Sequence, residues 1–236
     1  MQAPERFSNL PEYAFPRLRA LLDPYSPGPA GANSEPVAMS IGEPRHPQPA
    51  FVAEALARHV HLYGKYPPNE GCPELREAAA RWANRRYGVN LDGSHVIPLN
   101  GSREGLFNAC VALSPERKNG VRPAVLLPNP FYQCYAVAAL SAGADPIYVN
   151  ATAESGHLPD FAALDRALLD RATVAYICSP SNPQGAVASE AYWKTLLDLA
   201  ERHDFRIFAD ECYSEIYRDA PPPGVLSAAK AAGADP

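Results

Sequence analysis

Short apolar runs alternate with longer segments of helical periodicity over the second half of the chain. The runs predict strands at 95–99, 124–127, 147–149, 173–178 and 205–209, and the periodic segments predict helices at 102–113, 131–141, 160–169 and 190–203. Short strands that alternate with helices are typical of βαβ units and of a mostly parallel sheet. The strand runs are apolar throughout, as expected for strands that helices cover on both faces. The predicted fold class is therefore α/β, a mostly parallel sheet with helices on both faces.

The first 94 residues lack this alternation. Residues 1–36 are rich in Pro, Gly and Ser and predict an extended arm with one short helix at 15–22. A short apolar run follows at 37–41, and apolar residues at helical spacing predict helices at 49–60 and from Pro73 to about Tyr87. After Tyr217 the pattern ends in a proline-rich segment.

The composition excludes several classes of protein. Of the 236 residues, 47% are hydrophobic and 20% charged, which is typical of globular proteins and not of disordered ones. The net charge of -5 argues against nucleic acid as a partner, because phosphate binding needs clustered Lys and Arg. No apolar run approaches the ~18 residues of a membrane span, and the first residues lack the pattern of a signal peptide. A cytoplasmic protein without membrane contact is expected.

The cysteines and histidines indicate neither disulfides nor a metal site. No two cysteines form a C-x-x-C pair, which favours reduced and mostly buried thiols; the five are Cys72, Cys110, Cys134, Cys178 and Cys212. His59 and His61 are two positions apart, so their side chains diverge on a helix. Packing or surface roles are the better interpretation of both histidines.

Four predicted strand ends carry groups that could bind a ligand, since ligands of open α/β sheets lie beyond the carboxyl ends of the strands. Ser102 follows a glycine at a strand-to-helix turn, where a helix N-terminus suits a phosphate. Tyr132 and Asn182 follow two further strands. Asp210 directly follows an apolar strand, and a carboxylate at that depth needs a partner such as an arginine or a protonated heterocycle. Each feature alone has an ordinary structural explanation, as a helix cap, a core aromatic, a turn or an ion pair.

The order and spacing of these features are more specific. The segments 181–185 (SNPQG), 210–213 (DECY) and 66–76 (YPPNEGCPELR) together resemble motifs of the fold-type I, class I/II aminotransferases that depend on pyridoxal phosphate. The resemblance extends from about residue 40 to residue 213. The sequences of segments 40–47 (SIGEPRHP) and 100–107 (NGSREGLF) are most similar to those of bacterial succinyldiaminopimelate aminotransferases.

The resemblance implies a role for each residue around the cofactor ring. Asp210 would face the pyridine nitrogen and keep it protonated, because a nearby negative charge raises the pKa of that nitrogen. A protonated ring is the better electron sink. Asn182 and Tyr213 would hydrogen-bond the phenolic oxygen of the ring, and Tyr132 would stack on its face.

The resemblance also assigns residues to the phosphate and the substrate. Ser102 and the amides of Ser102 and Arg103 would hold the phosphate at the helix N-terminus. Tyr66 would reach the phosphate of the neighbouring subunit, which implies a homodimer of the full-length form. Gly42 would bring its backbone close to the substrate carboxylate. The expected partners are an amino acid and a 2-oxo acid of lysine biosynthesis.

The same resemblance predicts the domain organisation. Residues 1–48 would form the N-terminal arm and part of the small domain. Residues 49–236 would form the cofactor-binding large domain, incomplete at its C-terminus, with the C-terminal small domain missing.

The Schiff-base lysine that transamination requires is not found. The family places it in a Ser-x-Ser/Thr-Lys stretch, and none of Lys65, Lys118, Lys194 and Lys230 has that setting. Lys230 follows Ser227-Ala-Ala but lacks the Gly-x-Arg context, and it is interpreted as a lysine on a surface helix. No catalytic residue is therefore assigned. The chain is expected to be a fragment that does not transaminate alone, whether the truncation is biological or an artefact.

One alternative is excluded and two remain. A dinucleotide-binding domain shares the βαβ pattern but needs G-x-G-x-x-G, and segment 100–105 has only two glycines at another spacing. The chain could be a non-catalytic remnant that serves as a cofactor-binding module. It could also belong to another class I/II enzyme, such as a C–S lyase.

Overall fold

The computed structural model describes residues 4–8, 10–25, 39, 42–43 and 46–234. The chain divides into two compact units, one made of residues 1–11 and 73–236 and the other of residues 12–72. The division into an arm at 1–48 and a large domain at 49–236 stays a prediction. Within the described residues, no helix is both long enough and apolar enough to cross a membrane.

The described residues of the smaller unit form two helices. Helix α1 spans Ala14–Leu22 and helix α2 spans Ala50–His59, followed by a 3-10 turn at Val60–Leu62. The sequence predicted both helices to within one residue. The apolar run at 37–41 falls outside the described residues, apart from Met39.

The larger unit is built on a sheet of four parallel strands in the order β2-β1-β3-β4. The strands are β1 Ala124–Asn129, β2 Asp145–Asn150, β3 Ala172–Cys178 and β4 Arg206–Asp210. In the part of this unit that the structure describes, six helices accompany them: α3 Pro73–Tyr87, α4 Ser102–Leu113, α5 Gln133–Ser141, α6 Arg166–Leu169, α7 Glu190–His203 and α8 Val225–Ala232.

Alternate residues of the central strands face two separate cores, as the period of two along a strand requires. Val125 and Val174 lie in a core that includes residues of α5 and α4. Leu126 and Ile177 lie in the opposite core, which includes residues of α7 and α8. The prediction of a parallel α/β sheet with helices on both faces is confirmed.

Two predicted elements are wrong. Segment 95–99 is not a strand: a 3-10 turn occupies Gly93–His95, and the extended chain after it pairs with no strand among the described residues. Arg76 instead donates its Nε–H to the carbonyls of Gly93 and Val96. The helix predicted at 160–169 is broken into a 3-10 turn, Phe161–Ala163, and α6, because Leu164 is extended.

Lys118 joins three chain segments at the amino-terminal edge of the sheet. Its Nζ donates to the carbonyl oxygens of Ala172, His203 and Asp204 at 2.5, 2.6 and 2.6 Å. Partial burial lowers the pKa of Lys118. The ammonium therefore links the start of β3 to the end of α7, at the edge of the sheet opposite the carboxyl ends of the strands.

Replacing Lys118 with methionine is expected to lower the free energy of unfolding by about 2 kcal/mol, because three carbonyls lose a charged donor. Urea unfolding followed by circular dichroism measures the change. Lys194→Met is the control, since Lys194 pairs with Asp198 on an exposed helix surface and such pairs contribute less than about 1 kcal/mol. Equal effects of the two substitutions would contradict the bridging role.

Candidate functional site

A cavity of about 490 Å³ opens at the carboxyl ends of β1, β3 and β4. Cofactor and substrate pockets usually measure about 300–1,000 Å³. Its walls combine one acid, two thiols, aromatic rings and small polar groups; they are Ser102, Pro128, Pro130, Phe131, Tyr132, Tyr135, Cys178, Asn182, Pro183, Asp210, Cys212 and Tyr213. The position agrees with the general location of ligands in parallel sheets.

Asp210 is the last residue of β4 and half-buried. Its Oδ2 accepts a hydrogen bond of 2.7 Å from the hydroxyl of Tyr135, and the amide of Cys212 lies 3.4 Å from Oδ1. The next residue, Glu211, points elsewhere and accepts from the Tyr87 hydroxyl and the Val225 amide, both at 2.7 Å. Glu211 thereby anchors the turn that presents Asp210 to the cavity.

Ser102 is the first residue of α4, whose N-terminus reaches the cavity. The turn depends on Gly101, which has φ 139° and ψ 151°, a conformation that residues with a Cβ rarely adopt. Glu104 accepts from the amide of Asn100 at 2.8 Å, which fixes the chain ahead of the helix. First-turn amides of a helix point out along its axis and make its N-terminus partly positive, so this end of the cavity suits an anion.

Tyr132 forms an aromatic wall between these two ends. The residue is 38% exposed, and its ring meets the ring of Tyr135 edge-on, with centroids 5.7 Å apart. The Arg103 guanidinium donates to the Tyr132 hydroxyl and lies 5.5 Å from the ring centroid. The exposed face of Tyr132 offers a surface on which a flat ring can stack.

Asn182 and Tyr213 meet at another side of the cavity. The Asn182 Nδ2 donates to the Tyr213 hydroxyl oxygen at 3.2 Å. Asn182 sits in a turn in which the amide of Ser181 donates to the carbonyl of Ala186 at 2.8 Å. Partial burial raises the pKa of Tyr213, so its hydroxyl stays protonated and can donate to an oxygen of a ligand.

Two thiols complete the lining. Burial, together with the charge of Asp210, raises the pKa of Cys178 to about 11. Burial, followed by the hydrogen bond and charge of Asp210, raises the pKa of Cys212 to about 12. Both groups are therefore thiols at neutral pH. The charge of Asp210 contributes to the raised pKa of each.

Alkylation of Cys212 tests this electrostatic arrangement. Only the thiolate reacts, so we expect the iodoacetamide rate at Cys212 to rise about tenfold per pH unit from pH 7 to 10. Asp210→Asn removes a negative charge and should raise the rate at pH 8 about tenfold, the effect of one pKa unit. Peptide mass spectrometry resolves the individual cysteines. Asp198→Asn on α7 is the control, and an unchanged rate in Asp210→Asn would contradict the arrangement.

The structure brings five of the predicted site residues to one cavity: Ser102, Tyr132, Asn182, Asp210 and Tyr213. Arg103 lies beside it through its contact with Tyr132. Gly42 and Tyr66 belong to the smaller unit, and their roles stay predictions. Sequence reasoning missed Tyr135, although its position one helical turn after Tyr132 was the available signal.

Among the described residues that line the cavity there is no lysine. Lys118 lies at the opposite edge of the sheet, Lys194 pairs with Asp198, and the Lys230 Nζ donates to the carbonyl of Gly88. Lys230 is an exposed residue of α8, in agreement with its interpretation from the sequence. Lys65 belongs to the smaller unit.

Comparison with known proteins decides the family. The family described as aminotransferase class I and II matches residues 34–234. The chain belongs to this family. Its members depend on pyridoxal phosphate, and the resemblance seen in the sequence is confirmed.

Individual relatives agree with this assignment. The chain is 36% identical over 232 residues to LL-diaminopimelate aminotransferase of Desulforudis audaxviator, covering 96% of the chain and 57% of that protein. A protein of the same name from Dehalococcoides mccartyi is 33% identical over 224 residues, covering 93% of the chain and 55% of that protein. The chain therefore spans little more than half the length of these relatives.

Solved structures show the same fold. An aminotransferase of Neisseria meningitidis matches with a TM-score of 0.87 and 38% identity, over 98% of the chain and 58% of that structure. A single mutant of Thermus thermophilus aspartate aminotransferase matches with a TM-score of 0.78 and 27% identity, over 96% and 57%.

The cavity fits the cofactor of the family. Pyridoxal phosphate carries an anionic phosphate and a basic ring nitrogen at opposite sides of a flat ring. The α4 N-terminus with Ser102 suits the first and the Asp210 carboxylate suits the second, while Tyr132 offers a ring face between them.

Proposed function

We propose that the protein is a pyridoxal-phosphate-dependent aminotransferase of lysine biosynthesis, and that this chain supplies the cofactor-binding part. Two relatives named LL-diaminopimelate aminotransferase support a diaminopimelate-type amino acid as one substrate. Segments 40–47 and 100–107, which are most similar to succinyldiaminopimelate aminotransferases, favour its succinylated form. Glutamate as the amino donor and a 2-oxo acid as the acceptor are expected from the family resemblance. The homodimer that Tyr66 would require and the cytoplasmic location belong to the same proposal.

One observation carries the proposal: Asp210 and the α4 N-terminus line a single cavity. The bound cofactor supplies a protonated pyridine ring that withdraws electrons from the substrate α-carbon. Asp210 would hold the proton at the ring nitrogen, because its carboxylate stabilises a positive charge beside it. Ser102 and the first amides of α4 would hold the phosphate at the other end.

The remaining residues would orient and shield the ring. Tyr132 would cover one face and exclude water from it. Tyr213 would donate its hydroxyl proton to the phenolic oxygen of the ring, and Asn182 already holds that hydroxyl in place at 3.2 Å. Each of these roles is a binding or positioning role of a side chain that lines the cavity.

A cofactor-binding module without turnover is the second candidate for the isolated chain, and the cavity lining favours it because none of its described residues is a lysine. Transamination requires the side-chain amine of a lysine at the cofactor, and a chain without such a lysine would not supply it. Binding and catalysis therefore separate experimentally.

We expect the purified chain to bind pyridoxal phosphate with a saturable absorbance change and to show no turnover with glutamate and a 2-oxo acid. An absorbance titration measures the first and a coupled glutamate assay the second. The aspartate aminotransferase of Thermus thermophilus serves as the active reference. The absence of saturable binding would contradict the proposed site. Turnover by the chain would contradict the inference that none of its lysines is catalytic.

A further inference from the structure

We propose that Tyr135 is the positioning residue that orients the Asp210 carboxylate toward the cofactor ring nitrogen. The inference deepens the proposed function and rests on it. Tyr135 is not among the residues that the family motifs pointed to in this sequence. Its role follows from three features of its surroundings: its contact, its packing and the direction of its hydrogen bond.

The contact is direct. The Tyr135 hydroxyl lies 2.7 Å from Oδ2 of Asp210, and both side chains line the cavity. The other carboxylate oxygen has a longer contact, 3.4 Å, with the Cys212 amide. The terminal torsion of an aspartate is broad and roughly two-fold, so the carboxylate plane is set mainly by its hydrogen bonds. The strongest of these described contacts comes from Tyr135.

The packing keeps the Tyr135 ring in one place. Tyr135 is only 1% exposed and stacks on Tyr176 with centroids 4.3 Å apart and planes 11° from parallel. Tyr176 is fully buried, and its hydroxyl donates to the Leu106 carbonyl of α4 at 2.6 Å. A chain of contacts therefore links α4, whose N-terminus would hold the phosphate, to the carboxylate that would hold the ring nitrogen.

The hydrogen bond has one direction. Burial first, and the charge of Asp210 second, raise the pKa of Tyr135 far above its usual value. The phenol is therefore always protonated and donates, while the carboxylate accepts. With Oδ2 engaged in this way, the carboxylate plane is held and its other oxygen is directed to a second donor in the cavity.

A merely structural role predicts a different outcome. If Tyr135 only packed α5 against β3, its loss would weaken binding of any ligand that fits the cavity. If it orients Asp210, its loss should weaken only the interaction with the ring nitrogen. An analogue that carries C–H in place of that nitrogen, 1-deaza-pyridoxal phosphate, separates the two effects.

The experiment compares the affinities of the natural cofactor and the deaza analogue for the chain and for Tyr135→Phe, which keeps the stacked ring. We expect the unaltered chain to prefer the natural cofactor at least about tenfold, since a charge-assisted hydrogen bond contributes that much. Tyr135→Phe should reduce this preference at least about fivefold, and should leave the affinity for the analogue within about twofold. Tyr192→Phe is the control, because it likewise removes a 2.7 Å hydrogen bond donated by a tyrosine hydroxyl, here to the Pro159 carbonyl and away from the cavity.

Each result of this comparison supports or overturns a named part of the proposal. Equal weakening of both ligands, or an unchanged preference, would overturn the role of Tyr135 while leaving the proposed function intact. Equal affinities of the unaltered chain for the two ligands would show that Asp210 does not contact the ring nitrogen, which would also overturn the role of Tyr135. If neither ligand binds, the proposed function itself is overturned. Should Tyr135→Phe fail to fold by circular dichroism, Tyr176→Phe replaces it, because it frees the supporting ring and should reduce the preference in part.

Discussion

At pH 7.5 we expect Asp210→Asn to bind pyridoxal phosphate about 30-fold more weakly than the unaltered chain. A carboxylate that balances a cationic ring nitrogen contributes ~2 kcal/mol through a charge-assisted hydrogen bond. The asparagine side chain has nearly the same shape but carries no charge. Isothermal titration of both proteins at 25 °C measures the difference.

The same comparison includes a matched control. Asp198→Asn removes one negative charge from α7, where Asp198 pairs with Lys194 on the exposed surface. The control should bind the cofactor as tightly as the unaltered chain. Equal affinities of the Asp210→Asn variant and this control would show that Asp210 does not contact the bound ring.

Trp193→Ala is expected to have the largest effect on stability, lowering the free energy of unfolding by about 3–5 kcal/mol. Trp193 is fully buried on α7 in the core that also contains Leu126 and Ile177. Within the described part of the chain, its indole Nε1 has no hydrogen-bond partner. The loss therefore comes from apolar contacts and from the cavity that the substitution leaves.

Urea unfolding followed by far-UV circular dichroism measures this loss. Trp82→Ala is the control, because Trp82 on α3 is 41% exposed and contacts Tyr87 edge-on. Its substitution should cost less than half as much, since less apolar surface is removed from contact. A larger effect at Trp82 than at Trp193 would contradict the assignment of α7 to the main core.

Much of the fold was predictable because local pattern and tertiary environment agree. Helices α4 and α7 begin and end at the predicted residues, and α7 has a clear start in Ser189, which accepts from the Tyr192 amide. Strand β3 is apolar along its length and is buried between two helical layers. In these elements the local sequence pattern and the tertiary environment favour the same structure.

The two wrong elements show where local pattern is insufficient. Segment 95–99 has the composition of a strand, but a strand forms only beside a partner, and the described residues offer it none. At 160–169, the Asp160 side chain caps the start of a 3-10 turn by accepting from the Ala163 amide, and Leu164 then leaves helical geometry. Partner and cap depend on contacts that periodicity does not record.

The candidate site shows the same division. Asp210, Asn182 and Ser102 were predictable because each follows a strand, and parallel strands end at one edge. Tyr135 was not, because it sits inside a helix, and only the fold shows that its hydroxyl reaches the end of β4. A residue that acts through another side chain leaves no motif of its own.

We propose that one cavity binds the cationic ring nitrogen of the cofactor at Asp210 and its phosphate at the α4 N-terminus. A crystal structure of the chain grown with pyridoxal phosphate tests it most directly. We expect a phosphate oxygen about 3 Å from the Ser102 Oγ and the ring nitrogen about 3 Å from an Asp210 carboxylate oxygen. A cofactor bound elsewhere, or one with its ring nitrogen directed away from Asp210, would contradict it.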